Sequence, residues 1–171
     1  MRKILLTISA LLLLAAPALA NMDGCWGEIV GPAYAEPGDT VTFVFNIQNG
    51  SADGEMTNVV VIRFPEIIHI SEGWFDDLGQ GWSFDFETGG EFSDYGYFSS
   101  EVGQIAPGTG GLFYLTVYIS PNMDCETFDI RWKQYGDRTG EPDHWIGEYL
   151  SYNLCETPTE TSSWSLVKSI Y

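Results

Sequence analysis

Basic side chains are scarce in this chain: 7 Lys and Arg stand against 24 Asp and Glu in 171 residues, a formal net charge of −17. Such a surplus of carboxylates repels phosphate backbones and anionic lipid surfaces, so nucleic acid is not expected as a partner. Histidine is scarcer still, with only 2 residues, His69 and His144. Neither falls in a His-Glu-x-x-His pattern or beside a Gly-x-Ser-x-Gly elbow, and each reads as an ordinary strand or loop residue. Helical periodicity is missing before residue 160. No apolar run beyond the N-terminus is long enough to cross a bilayer as a helix.

At the N-terminus Arg2 and Lys3 precede an apolar run over residues 4–14, followed by small residues and Ala18-Leu19-Ala20. That is the layout of a Sec-type secretory signal peptide, and cleavage after Ala20 is expected to free a chain starting at Asn21. The leader removes two of the 7 bases and none of the 24 acids, so the net charge becomes −19. The remainder is about one domain's worth of chain. Its acids are interspersed with aromatic and β-branched residues, and aromatics make up 15% of the whole, which argues against disorder.

Alternation with a period of two dominates this region. Val41, Phe43, Phe45 and Ile47 share one face of a strand over residues 41–48, opened by the turn Pro37-Gly38-Asp39. Residues 58–64 form a second strand that stops at Pro65, and residues 67–71 resume extended structure. Trp82, Phe84 and Phe86 alternate, and residues 95–102 are less regular. Residues 112–119 are apolar on both sides, which predicts a strand in the middle of a sheet. Phe128, Ile130 and Trp132 alternate with Asp129, Arg131 and Lys133, and a last strand covers residues 145–152. The pattern predicts an all-β protein: an immunoglobulin-like, two-sheet antiparallel β-sandwich of seven to eight strands over residues 21–155. Residues 1–20 are the leader. Residues 156–171 form a Thr/Ser/Pro linker and a short apolar tail.

Pro37-Gly38-Asp39-Thr40-Val41-Thr42-Phe43, then Thr57-Asn58-Val59-Val60-Val61 with Pro65, then Ile105-Ala106-Pro107-Gly108 before a strand, resemble the conserved-repeat, adhesion-related immunoglobulin-like domains of prokaryotic exported surface proteins. The similarity covers about residues 28–152 and lies in turn and strand positions. It implies the fold, and a role as stalk, spacer or adhesive module, with no catalytic residues to carry over. The chain departs from that family's habit by holding one copy, and by acidic, aromatic loops between Gly73 and Asp94.

Three cysteines in an exported chain invite a disulfide. If the strands beginning near Thr127 and ending near Asn153 form a hairpin around Gly140, paired residue numbers sum to about 280, which joins Cys125 to Cys155. Cys25, at the start of the first strand, falls at the opposite end of the sandwich. Met22-Asp23-Gly24 before it makes a poor lipobox, and an unpaired or intermolecular thiol is expected there.

The segment from Trp74 to Trp82 combines aromatic rings, carboxylates and glycines. With Tyr95 and Tyr97 these tryptophans are candidates for a glycan- or partner-binding surface, since rings stack on sugars while polar neighbours orient hydroxyls. The plainer reading, that Trp74 and Trp82 plug the ends of the sandwich, is preferred. Asp76, Asp77, Asp85 and Asp94 are the candidates for calcium, without an Asp-x-Asp-x-Asp-Gly series; no other cofactor is expected. Asn49-Gly50-Ser51 is formally a glycosylation sequon and reads as a hairpin turn. In the tail, Trp164, Lys168 and Tyr171 suit either a sorting or docking tag or a segment packed on the sandwich.

The function expected is that of a non-enzymatic exported domain for adhesion, partner binding or surface assembly, placed outside the cell or at its surface. The runner-up is a carbohydrate-binding module using loop aromatics, and the third reading is a secreted hydrolase built on paired carboxylates. A protein or glycan at the cell surface is the expected partner. Self-assembly is left open.

Overall fold

A computed structural model of the chain describes residues 22–52, 54–76, 81–88, 94–137 and 144–155. They form ten strands: β1 (Trp26–Gly31), β2 (Thr40–Asn49), β3 (Thr57–Arg63), β4 (Ile68–Phe75), β5 (Ser83–Glu87), β6 (Tyr95–Ser99), β7 (Thr109–Ile119), β8 (Thr127–Gly136), β9 (Trp145–Ile146) and β10 (Tyr149–Asn153). Four strands, ordered β1-β2-β7-β4, make one antiparallel sheet. Six make the other, ordered β10-β8-β3-β6-β5, with β9 also on β8. The count exceeds the seven or eight expected. The last predicted strand is broken at residues 147–148, and the short aromatic stretch around Phe84 forms a full ladder with β6.

Between the sheets lies the apolar face that the alternation specifies: Phe43, Phe45 and Ile47 of β2, Val60 and Ile62 of β3, Phe113, Leu115, Val117 and Ile119 of β7, and Phe128, Ile130 and Trp132 of β8. Phe43 meets Phe64 and Tyr152 edge-on at ring separations of 5.3 and 4.8 Å, and Phe98 meets Phe113 in the same way at 5.0 Å. Burial of this surface is the main stabilising term. β7 lies between β2 and β4, so its second apolar face signals an interior place in the sheet. Phe84 fits because β4 and β6 carry glycine beneath it; a Cβ on Gly73 would come within 2.6 Å of the Phe84 ring.

β8 and β10 pair with the expected register, Arg131 opposite Tyr149 and Thr127 opposite Asn153. Just beyond the ladder, Cys125 and Cys155 are disulfide-bonded with a Cα separation of 5.5 Å. Asn49-Gly50-Ser51 is not a hairpin turn. β2 belongs to one sheet and β3 to the other, so the turn carries the chain between layers. The Asn49 amide is buried, donating to the carbonyls of Glu55 (2.8 Å) and Ile105 (2.9 Å), and cannot present a glycan acceptor. No helix among the described residues is long and apolar enough to cross a membrane.

Candidate functional site on the outer face of the six-stranded sheet

Because Phe128, Ile130 and Trp132 point into the core, Arg131 and Lys133 must point out of β8; likewise Val60 and Ile62 turn Val61 and Arg63 outward from β3, and Gly96 and Phe98 turn Tyr95 and Tyr97 outward from β6. Register then assembles them. Glu87 faces Tyr95, Tyr95 faces Arg63, Arg63 faces Arg131, and Arg131 faces Tyr149, in one row across five strands. The next row runs Asp85, Tyr97, Val61, Lys133.

These three are all the Lys and Arg side chains among the described residues. Each lies over an aromatic ring: Arg63 5.5 Å from the centre of Tyr95, Arg131 5.7 Å from Tyr149, and the Lys133 ammonium 4.2 Å from Trp145. Such contacts hold a cation in place at modest gain. Among the described residues no carboxylate comes within ion-pairing distance of any of them. Burial, and then the positive charges of Arg131 and Arg63, hold the Lys133 ammonium below the usual lysine range. Three like charges are thus left side by side in a chain that has carboxylates to spare.

At the β5 edge of the row, Asp85, Phe86, Glu87, Tyr95 and Tyr97 line a groove of about 250 Å³. A hydrogen bond to Glu87, then burial, push the Tyr95 phenol above its ordinary range. The Tyr97 ring is 39% exposed. Tyr95 and Tyr97 therefore meet in one place with Asp85. Trp74 and Trp82 are elsewhere and are split from each other. Trp82 lies against Phe75 (4.8 Å) and Phe113 (5.5 Å), and its indole N–H donates to the Gly103 carbonyl. Trp74 stays on the outer face of the four-stranded sheet, stacked parallel on Tyr114 at 4.9 Å.

The acidic candidates do not converge either. Asp94 is buried and accepts the Ile70 N–H at 2.9 Å, with His69 Nδ1 3.5 Å away. Asp76 is exposed beyond β4, where its N–H donates to Leu112 at 3.2 Å, and Asp85 points out of β5. Asp77 lies outside the described residues, as do Trp164, Lys168, Tyr171 and the leader. No three His, Cys, Asp or Glu side chains among the described residues are grouped to hold a metal ion.

Cys25 is unpaired and buried at the end of the sandwich opposite the disulfide, its thiol 3.4 Å from Asn49 Oδ1. Burial pushes that thiol up, the reverse of what a nucleophile requires. Close by, the buried Glu55 carboxylate meets His144 Nδ1 at 2.9 Å, and Gly136 leaves it room, since a Cβ there would overlap Glu55 Oε1. Sequence reasoning missed this pair, and it missed Arg63, Arg131, Lys133, Trp145 and Tyr149 as members of one surface. The one available signal was the scarcity of bases, with three of them on strands.

The chain matches no protein-family model and none of the curated proteins. Among solved structures it is similar to an uncharacterized protein from Nocardia farcinica with an immunoglobulin-like fold, at 14% identity and a TM-score of 0.54, over 77% of this chain and 98% of that one. It is also similar to a putative membrane anchored protein from Corynebacterium diphtheriae, at 13% identity and a TM-score of 0.50, over 81% of this chain and 36% of that one. At these identities the likeness establishes the immunoglobulin-like sandwich and nothing about activity.

Proposed function

We propose that the chain is an exported, non-enzymatic domain that docks a partner at the cell surface through the outer face of its six-stranded sheet. The observation that carries this reading is the row Tyr95, Arg63, Arg131, Tyr149 with Lys133 beside it: every described cation is gathered on one face, set over an aromatic ring and, among the described residues, left without a carboxylate. Arg, Tyr and Trp are the residues that dominate binding energy at interfaces, and ordered, unpaired charge is what a partner of opposite sign can satisfy. Export is supported by the leader pattern and by a disulfide, which persists in oxidising compartments. The non-enzymatic reading is supported by the raised Cys25 thiol and by the enclosure of the Glu55–His144 pair, whose His144 Nε2 is buried.

The test uses labelled, processed full chain and envelope fragments of the cells that make it. The chain should sediment with the fragments. Arg63→Gln with Arg131→Gln should cut the bound fraction by about tenfold or more, because hydrogen bonds to charged groups are lost. Tyr118→Ala, on the opposite outer face, should leave it unchanged. Equal binding by both variants would remove this face from the account.

A further inference from the structure

The occupant of the docking face can be narrowed by chemistry, resting on the reading just given. The groove and the cation row adjoin: Tyr95 lines the groove and carries the Arg63 guanidinium over its ring. The ring holds that guanidinium in place, and with no carboxylate partner among the described residues its N–H groups are open to a carboxylate. Arg131 follows one strand along, and the row from Glu87 to Tyr149 spans four strand spacings, roughly 19 Å. A ligand that follows it is extended and anionic.

Asp85 and Glu87 decide between polymers. They stand beside the exposed Tyr97 and accept hydrogen bonds from hydroxyl groups, which a sugar ring offers and the side chain of an ionised acidic polypeptide does not. A groove of about 250 Å³ is below the roughly 300–1,000 Å³ of pockets that enclose a whole small molecule, so it suits one ring of a longer chain. Rings to stack on, carboxylates to take hydroxyls and a neighbouring open arginine describe a sugar acid. We propose that this face binds a carboxylated polysaccharide, with one sugar ring in the Asp85/Glu87/Tyr95/Tyr97 groove and carboxylates on Arg63 and Arg131.

Calorimetric titration of the full processed chain with polygalacturonate, its fully methyl-esterified form and poly-L-glutamate tests this. Polygalacturonate should bind; esterification should weaken it about tenfold or more, since the charge that Arg63 meets is removed; poly-L-glutamate should bind no better than the ester. Arg63→Gln with Arg131→Gln should weaken polygalacturonate about tenfold or more. Tyr97→Ala, which leaves the charges in place, should weaken it by a similar factor through lost stacking. Poly-L-glutamate binding as tightly as polygalacturonate would overturn the sugar assignment while keeping the docking face. So would the absence of binding to all three polymers by a chain that still sediments with envelope fragments. Loss of polygalacturonate binding in Trp74→Ala, with the arginine variant unaffected, would move the site to the other face and overturn both readings.

Discussion

On the outer face of the four-stranded sheet, polar side chains answer one another. Asn46 donates to Glu28 at 2.8 Å and accepts from Gln48 at 2.6 Å, and the Thr42 and Thr116 hydroxyls meet at 3.0 Å, with Thr116 donating to Glu72 at 3.2 Å. On the outer face of the six-stranded sheet, cations lie side by side over aromatic rings and no carboxylate answers them among the described residues. Both faces grow from the same alternation over the same core. A face whose polar groups satisfy one another gains little from a partner, whereas one that leaves charge ordered and unanswered has binding energy to give. The contrast predicts that substitutions on the first face change stability, and on the second, binding.

The largest effect should come from reducing Cys125–Cys155. The bridge closes a loop of 30 residues and ties β10, with Tyr149, to β8. Its loss should cost about 3 kcal/mol and lower the melting temperature by roughly 10 °C. Amide exchange should accelerate in β10 well before it does in β2 and β7. Uniform acceleration would show that the bridge supports the whole sandwich and not this edge of the second face.

Next comes Asn46→Ala, which removes the link from β2 to Glu28 of β1 and the bond from Gln48 within β2, and should cost on the order of 1 kcal/mol in chemical denaturation with binding unchanged. Reduced binding there would blur the division between faces.

How much of this was legible in the sequence differs from strand to strand. The β8–β10 register followed from a hairpin sum because the two strands lie close together along the chain, and it placed Cys125 opposite Cys155. The β3–β8 pairing that puts Arg63 beside Arg131 joins strands far apart along the chain, and periodicity says nothing of which distant strands become neighbours. Trp74 was unreadable for another reason. Ile68 and Ile70 point inward, but a bulge between Ile70 and Glu72 shifts the phase, so Glu72 and Trp74 emerge outward while Gly73 and Phe75 turn in. Trp82, just before β5, is partly buried against the core instead.

The smallest effect concerns Lys133. Burial and the Arg131 and Arg63 charges lower its pKa from the ordinary 10.5, so the native chain releases this proton before the unfolded chain does. Its contribution therefore opposes folding while the lysine is charged, and that penalty fades as pH rises through the lowered value toward 10.5. NMR titration of the Lys133 ε-methylene should show the midpoint below the ordinary value, moving up in the Arg63→Gln, Arg131→Gln double variant. No movement would mean that burial alone sets it and that the cations do not share a field.

The most direct test of the difference between the faces is hydrogen–deuterium exchange of the full processed chain, free and bound to envelope fragments. Protection should appear in β3, β6 and β8, around Arg63, Tyr97 and Lys133, with β2 and β7 unchanged. Protection centred on β2 and β7, around Asn46 and Tyr118, would contradict it.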